Sequence, residues 1–239
     1  MISFPAFCRT LINDGGVILN LILIANIITC VCALIGFIYG IVKFFQPKKA
    51  VYAQMITLAA GCMAFGRLYQ VVRLLTQGDI LNEFQLGIFG VIGSLVFFFS
   101  ANFGLMDSLA DDRSKKYLKY RIIPLVAPAL VIALYLIFIA FADMPKLLKI
   151  TGAVVAFFAI QTTYFNLKHL IFPDVDYGVI KCLKLYNLLV LIYGFLCVAE
   201  TISMNNANDI SICIIGALMG IILLVVVPTV ERGINKWTT

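Results

Sequence analysis

Arg67, Gln70 and Arg73 recur every three residues inside an apolar run, so on a helix they climb one side as a polar stripe. Arg67 lies about nine residues, roughly 13 Å, from the nearer end of that run. A charge at such depth in hydrocarbon costs at least ~2.5 kcal/mol and usually faces a cavity or a partner. A matching acid exists. Tyr186, Tyr193 and Glu200 stand seven apart in another apolar run and therefore share one helix face. The expectation is an outward-opening polar cavity in which Glu200 pairs with Arg73 or Arg67. The plainer alternative is an arginine snorkelling to the headgroups beside ordinary aromatic packing.

A third run carries Gln161, Thr162, Thr163, Tyr164 and Asn166, too many hydrogen-bonding groups for a purely lipid-facing helix. Ser100 and Asn102 in a fourth, and Asn187 beside Tyr186, extend the polar inventory. The candidate ligand-binding set is thus Arg67, Gln70, Asn102, Gln161, Tyr164, Asn187, Tyr193 and Glu200. Interhelical hydrogen bonds of about 0.6 kcal/mol each are the competing use of such residues.

Acids gather at Asp107, Asp111 and Asp112, and again at Asp174 and Asp176. Carboxylates four apart on a helix can hold Mg²⁺ against a diphosphate, as the aspartate-rich motifs of intramembrane prenyltransferases do. The spacing Asn102, Asp107, Asp111 does not keep that pattern, so these acids read as solvated charge interleaved with Lys and Arg. His169 is the sole histidine. Of seven cysteines, Cys30, Cys32, Cys62, Cys197 and Cys213 lie within apolar runs, Cys182 starts one, and Cys8 lies outside. That is neither a disulfide framework nor a zinc spacing. No cofactor, metal or catalytic residue is expected.

The elements that must position these residues follow from composition. The chain has 239 residues, 62% hydrophobic and 13% charged, against about 25% charged in an ordinary soluble domain. The bilayer must be the solvent for most of it. Seven stretches reach the roughly 20 apolar residues a span requires: 17–43, 50–76, 84–107, 121–142, 149–169, 180–201 and 209–230. The expected fold is an all-α polytopic integral membrane bundle of seven transmembrane helices, without a soluble domain. The residues Met1 to Gly16 lack a signal-peptide pattern and read as an interfacial segment.

Orientation follows from basic residues. One side carries Lys43, Lys48 and Lys49, then Arg113 to Arg121, then Lys168, Lys181 and Lys184, then Arg232 and Lys236. These are thirteen of the 18 Lys and Arg; Arg9, Arg67, Arg73, Lys146 and Lys149 make up the other side. The richer side is cytosolic, which puts the N-terminus outside and the C-terminus in the cytosol of a plasma or inner membrane. The net charge of +6 then reflects topology and anionic lipid rather than nucleic acid.

Residues 17–107 and 149–230 align at an offset of about 125, matching Lys43 with Lys168 and Tyr52 with Tyr177. With 121–142 as a linker helix, this suggests a 3+1+3 repeat. Glycines at 36 and 40, at 87, 90 and 93, and at 216 and 220 predict close helix packing.

Familiar seven-helix chemistries are missing. Asp112-Arg113 is followed by Ser114, not the tyrosine of rhodopsin-like receptors; residues 209–230 hold no Schiff-base lysine; metal-dependent hydrolases need more than His169; and the Pro-Gln signature of 3+1+3 sugar transporters is absent, Gln46-Pro47 being reversed. Three readings follow. The first is a small-solute carrier or permease component with a polar site between spans 2, 3, 5 and 6. The second is a ligand- or lipid-sensing module or accessory subunit acting through a membrane or cytosolic partner. The third is an intramembrane lipid-phosphate enzyme.

Overall fold

The computed structural model describes residues 16–47, 49–77, 86–107, 111, 114–141, 146–173, 179–205 and 209–238. Seven principal helices account for most of them: α1 (Gly16–Phe44), α2 (Val51–Gln77), α3 (Ile88–Ser100), α4 (Val126–Phe141), α5 (Lys146–Ile171), α6 (Lys184–Asn205) and α7 (Asp209–Thr238). Short helical turns between Lys115 and Leu125 lead into α4, and Val179–Cys182 precedes α6. All regular structure among the described residues is helical. Six of the helices are long and apolar enough to cross a membrane, which suggests a membrane location. The stretch expected at 84–107 is the exception. Its apolar helix is shorter, Ile88–Phe103, and its end, Ala101–Met106, is wound as a π-helix.

The packing order forms a ring: α1 on α2, α2 on α3, α3 on α5, α5 on α6, α6 on α7, and α7 back on α1. α4 lies against α5 and, less extensively, α6. Leu130, Leu134, Leu136 and Ile137 of α4 face outward, as lipid-contacting residues would. The apolar core is contributed by small and medium side chains such as Ala53, Ala59, Ala60, Met63, Leu95, Val190, Leu223 and Val227.

Small residues set the closest approaches, because without a hydrophobic force between helices in lipid, association depends on tight packing. A Cβ placed on Gly90 would sit 2.6 Å from the Cys62 carbonyl oxygen and from the Gly66 Cα, so α2 and α3 touch backbone to backbone. A Cβ on Gly36 would meet the Leu223 carbonyl oxygen at 2.5 Å, where α1 crosses α7. Thr29 adds a bond across the same pair, its hydroxyl donating to the Gly216 carbonyl at 2.7 Å.

The last run, expected to end at 230, is longer: α7 continues through Pro228 to Thr238. A proline is tolerated inside a packed membrane helix because side-chain hydroxyls and neighbouring helices can take up the freed backbone groups, and Thr229 donates to the Val225 carbonyl at 2.8 Å. The acids after α3 are not simply solvated. Asp111 is buried and ion-paired with Arg121 and Lys168. Asp112, Asp174 and Asp176, like the segment Met1 to Asp14, lie outside the described residues.

Candidate functional site

α2 and α6 supply the first polar cluster. Arg67, Gln70 and Arg73 are all buried, as are Glu200 of α6 and Asn26 of α1. The Arg67 guanidinium is ion-paired and hydrogen-bonded to the Glu200 carboxylate. Its Nη1 also donates to Asn26 Oδ1 at 3.0 Å and to Gln70 Oε1 at 2.9 Å. Arg67 is only 2% exposed and its Nε has no hydrogen-bond partner. Snorkelling is thereby replaced by a buried pair. Placing two charges out of water costs several kcal/mol each, repaid only by good geometry and extra hydrogen bonds. The amide oxygens of Asn26 and Gln70 provide those bonds. A cavity of about 30 Å³ adjoins the pair, lined also by Gln70, Thr201, Val91 and Val155. It exceeds the roughly 10–15 Å³ that one water requires.

Further along, Tyr193 of α6 and Ser94 of α3 share a hydrogen bond of 2.6 Å, and Ser94 reaches the Val91 carbonyl at 2.7 Å. The Phe98 ring packs edge-on against Tyr193 at 5.4 Å. Thr162 of α5 donates to the Leu95 carbonyl at 3.1 Å, tying α5 to α3. Asn102, Asn166, Tyr186 and Asn187 follow, all fully buried.

The opposite end of the bundle is closed by charges. Lys168 of α5 lies 2.6 Å from Asp107 and 2.8 Å from Asp111. Arg121 Nε donates to Asp111 at 2.7 Å, and His169 Nε2 lies 3.3 Å from Asp107 Oδ1. Burial of the Asp107 carboxyl works to raise its pKa. Hydrogen bonds from His169 and Lys168, and the Lys168 charge, outweigh it, and the group lies below its ordinary value. Beside this cluster Lys43 of α1 pairs with Glu231 of α7 at 3.1 Å, which also accepts from Tyr39.

Of the eight residues singled out in the sequence, Arg67, Gln70 and Glu200 come together directly. Asn102, Asn187 and Tyr193 line the same interior without touching that trio in a recorded bond. Tyr164 is elsewhere: its hydroxyl donates to the Arg121 carbonyl at 3.1 Å, between α5 and the turns before α4. Gln161 is half-buried. Asn26 and His169 carry contacts that sequence reasoning did not assign. Asn26 could have been found as the lone amide deep in the first apolar run; the partner of His169 is 62 positions away and left no local signal. Among the described residues no cluster of His, Cys, Asp or Glu could hold a metal ion. No family model, curated protein or solved structure matches the chain.

Proposed function

We propose that the chain is a small-solute carrier or permease component rather than an enzyme, seen with both ends shut. The observation that carries this reading is the pairing of two charge networks, Arg67–Glu200 at one end and Lys168–Asp107–Asp111–Arg121 at the other. Between them runs a column of buried hydroxyl and amide groups on α3, α5 and α6. Buried ion pairs are weak devices for stability, since apolar residues of similar volume often do as well or better. They suit a gate, because opening exposes both partners to water and recovers their hydration.

The packing order supports the same reading. The α3–α5 and α7–α1 contacts are the interfaces that a repeat of α1–α3 and α5–α7 would make equivalent, with α4 outside the ring. Two such halves rocking about the column would open each network in turn. With the basic residues inward, Arg67–Glu200 forms the outer gate, the N-terminus is external and the membrane is the plasma or inner membrane.

Vesicles containing the purified chain, screened with labelled amino acids, sugars and organic cations, test this. Accumulation of a solute that Arg67→Leu abolishes is the expected result. A chain that moves none of them and co-purifies in fixed stoichiometry with another protein would favour the accessory-subunit reading instead.

A further inference from the structure

Six buried polar side-chain atoms on α5, α6 and the π-helical turn that ends α3 complete no well-formed hydrogen bond: both amide atoms of Asn102, Asn166 Oδ1, Asn187 Oδ1, the Tyr186 hydroxyl and His169 Nδ1. A buried polar group without a partner costs roughly 1–3 kcal/mol, so such a concentration calls for a ligand.

Three helix registers bring them together. The Ser94–Tyr193 bond and the Phe98–Tyr193 contact align α3 with α6. Tyr186 lies seven residues from Tyr193 along α6 and Asn102 eight from Ser94 along α3, about the same depth at 1.5 Å per residue. The Tyr186 hydroxyl and the Asn102 amide lie within side-chain hydrogen-bonding reach of one another. Phe165 touches both Phe99 and Phe103, at 5.7 and 5.4 Å, which sets its neighbour Asn166 level with Asn102. A Cβ on Gly194 would meet the Thr163 side chain at 2.7 Å; Asn187, seven residues away on the same face, therefore also looks toward α5.

Most of these atoms are acceptors: only Asn102 Nδ2 and the Tyr186 hydroxyl carry protons, and those two groups lie within reach of each other. Asn166 Nδ2 donates to the Thr162 carbonyl at 2.7 Å and Asn187 Nδ2 to the Leu183 carbonyl at 3.1 Å. Both amides spend their donors on their own helix and are left presenting oxygen. His169, with Nε2–H directed at Asp107, presents Nδ1 as a lone pair, the orientation a carboxylate imposes on a liganding histidine. Asn102 Oδ1 and the Tyr186 oxygen complete a set of five acceptors on three helices. π-Helical turns are frequent at functional sites, and Asn102 stands in one.

We propose that this cluster binds a small monovalent cation (Na⁺, K⁺ or NH₄⁺) through neutral lone pairs, much as rings of carbonyl oxygens replace an ion's hydration shell in selectivity filters. The neighbouring acids do not supply the ligands: Asp107 and Asp111 are committed to Lys168 and Arg121. The inference concerns binding and holds whether or not the chain carries a solute.

The test is thermal unfolding of the purified chain in nanodiscs, in NaCl, KCl, NH₄Cl or N-methylglucamine chloride at equal ionic strength. At least one of the three cations should raise Tm saturably over N-methylglucamine. Tyr186→Phe, which keeps the ring, should shift the half-saturating concentration upward about tenfold, and Asn102→Ala should do the same where it folds. Gln46→Ala, outside the cluster, should leave it unchanged. Equal Tm in all four salts, or a cation response untouched by Tyr186→Phe, would overturn the proposal and leave the cluster to water.

Discussion

Arg67 and Glu200, 133 positions apart in the chain, close on one another inside the bundle and tie α2 to α6. Both side chains are buried, and each is the other's counter-charge. Removing one partner strands the other.

The first prediction follows from that dependence. Glu200→Leu or Arg67→Leu alone should destabilise the protein by about 3–5 kcal/mol, the usual cost of an uncompensated buried charge. The double substitution should recover most of the loss while abolishing any transport. Denaturant titration of the four proteins in micelles measures the coupling; additive losses would show that the pair is not energetically joined.

Position 70 should be shielded where its neighbours are not. Gln70 is buried, whereas Leu68, Tyr69 and Val72 are exposed on the outer surface of α2. In a cysteine-free background, a nitroxide attached in detergent at 68 or 72 should collide freely with dissolved oxygen after return to a bilayer, as a lipid-facing site does, and one at 70 should be shielded. Equal oxygen accessibility at all three would place the stripe in lipid.

Strong acid should loosen the end held by Asp107 and Lys168. The folded-state pKa of Asp107 lies below its ordinary value of 3.8, so its contribution is present above that value and is lost as pH falls through the lower folded value. Asp107→Asn should make the protein less stable near neutrality and flatten the acid limb of a stability–pH profile, read by unfolding at a series of pH values from neutral down past the ordinary carboxylate range.

Gly90 tolerates no side chain without a shift of backbone, since its Cβ would fall 2.6 Å from the Cys62 carbonyl oxygen. Gly90→Ala should lower the yield of folded protein and its Tm by more than Gly152→Ala, where the nearest atoms are flexible side-chain ends at 3.2 Å and beyond. Size-exclusion profiles and thermal unfolding of the two variants decide it.

Much of this was legible in residue order. Apolar runs bounded by charge and turn formers located α1, α2, α4, α5 and α6 to within a few residues, and the start of α7, which ends eight residues beyond its run, at Thr238, because hydrocarbon thickness imposes a length. The pairing of Arg67 with Glu200 was open to anticipation, since an isolated deep charge needs an opposite one. The choice between Arg67 and Arg73 was not, as it depends on how α2 rotates against α6. The π-helical turn at Ala101–Met106 and the partners of His169 and Asp111 were also beyond the sequence, because they are set by contacts across helices. Tyr164 misled for the opposite reason: its composition suited a lining role, but its position on α5 faces the turns before α4.

The seam between α1 and α7 bears on how the protein is made. The ring of helices closes through this contact, yet its two halves are the first and last of the seven to leave the ribosome. Until α7 arrives, Thr29 and the small-residue face around Gly36 remain open to lipid or to quality-control factors that survey unassembled helices. Closure of the ring therefore waits until α7 has been made, and a chain stalled after α6 would present that face as a mark of its incompleteness.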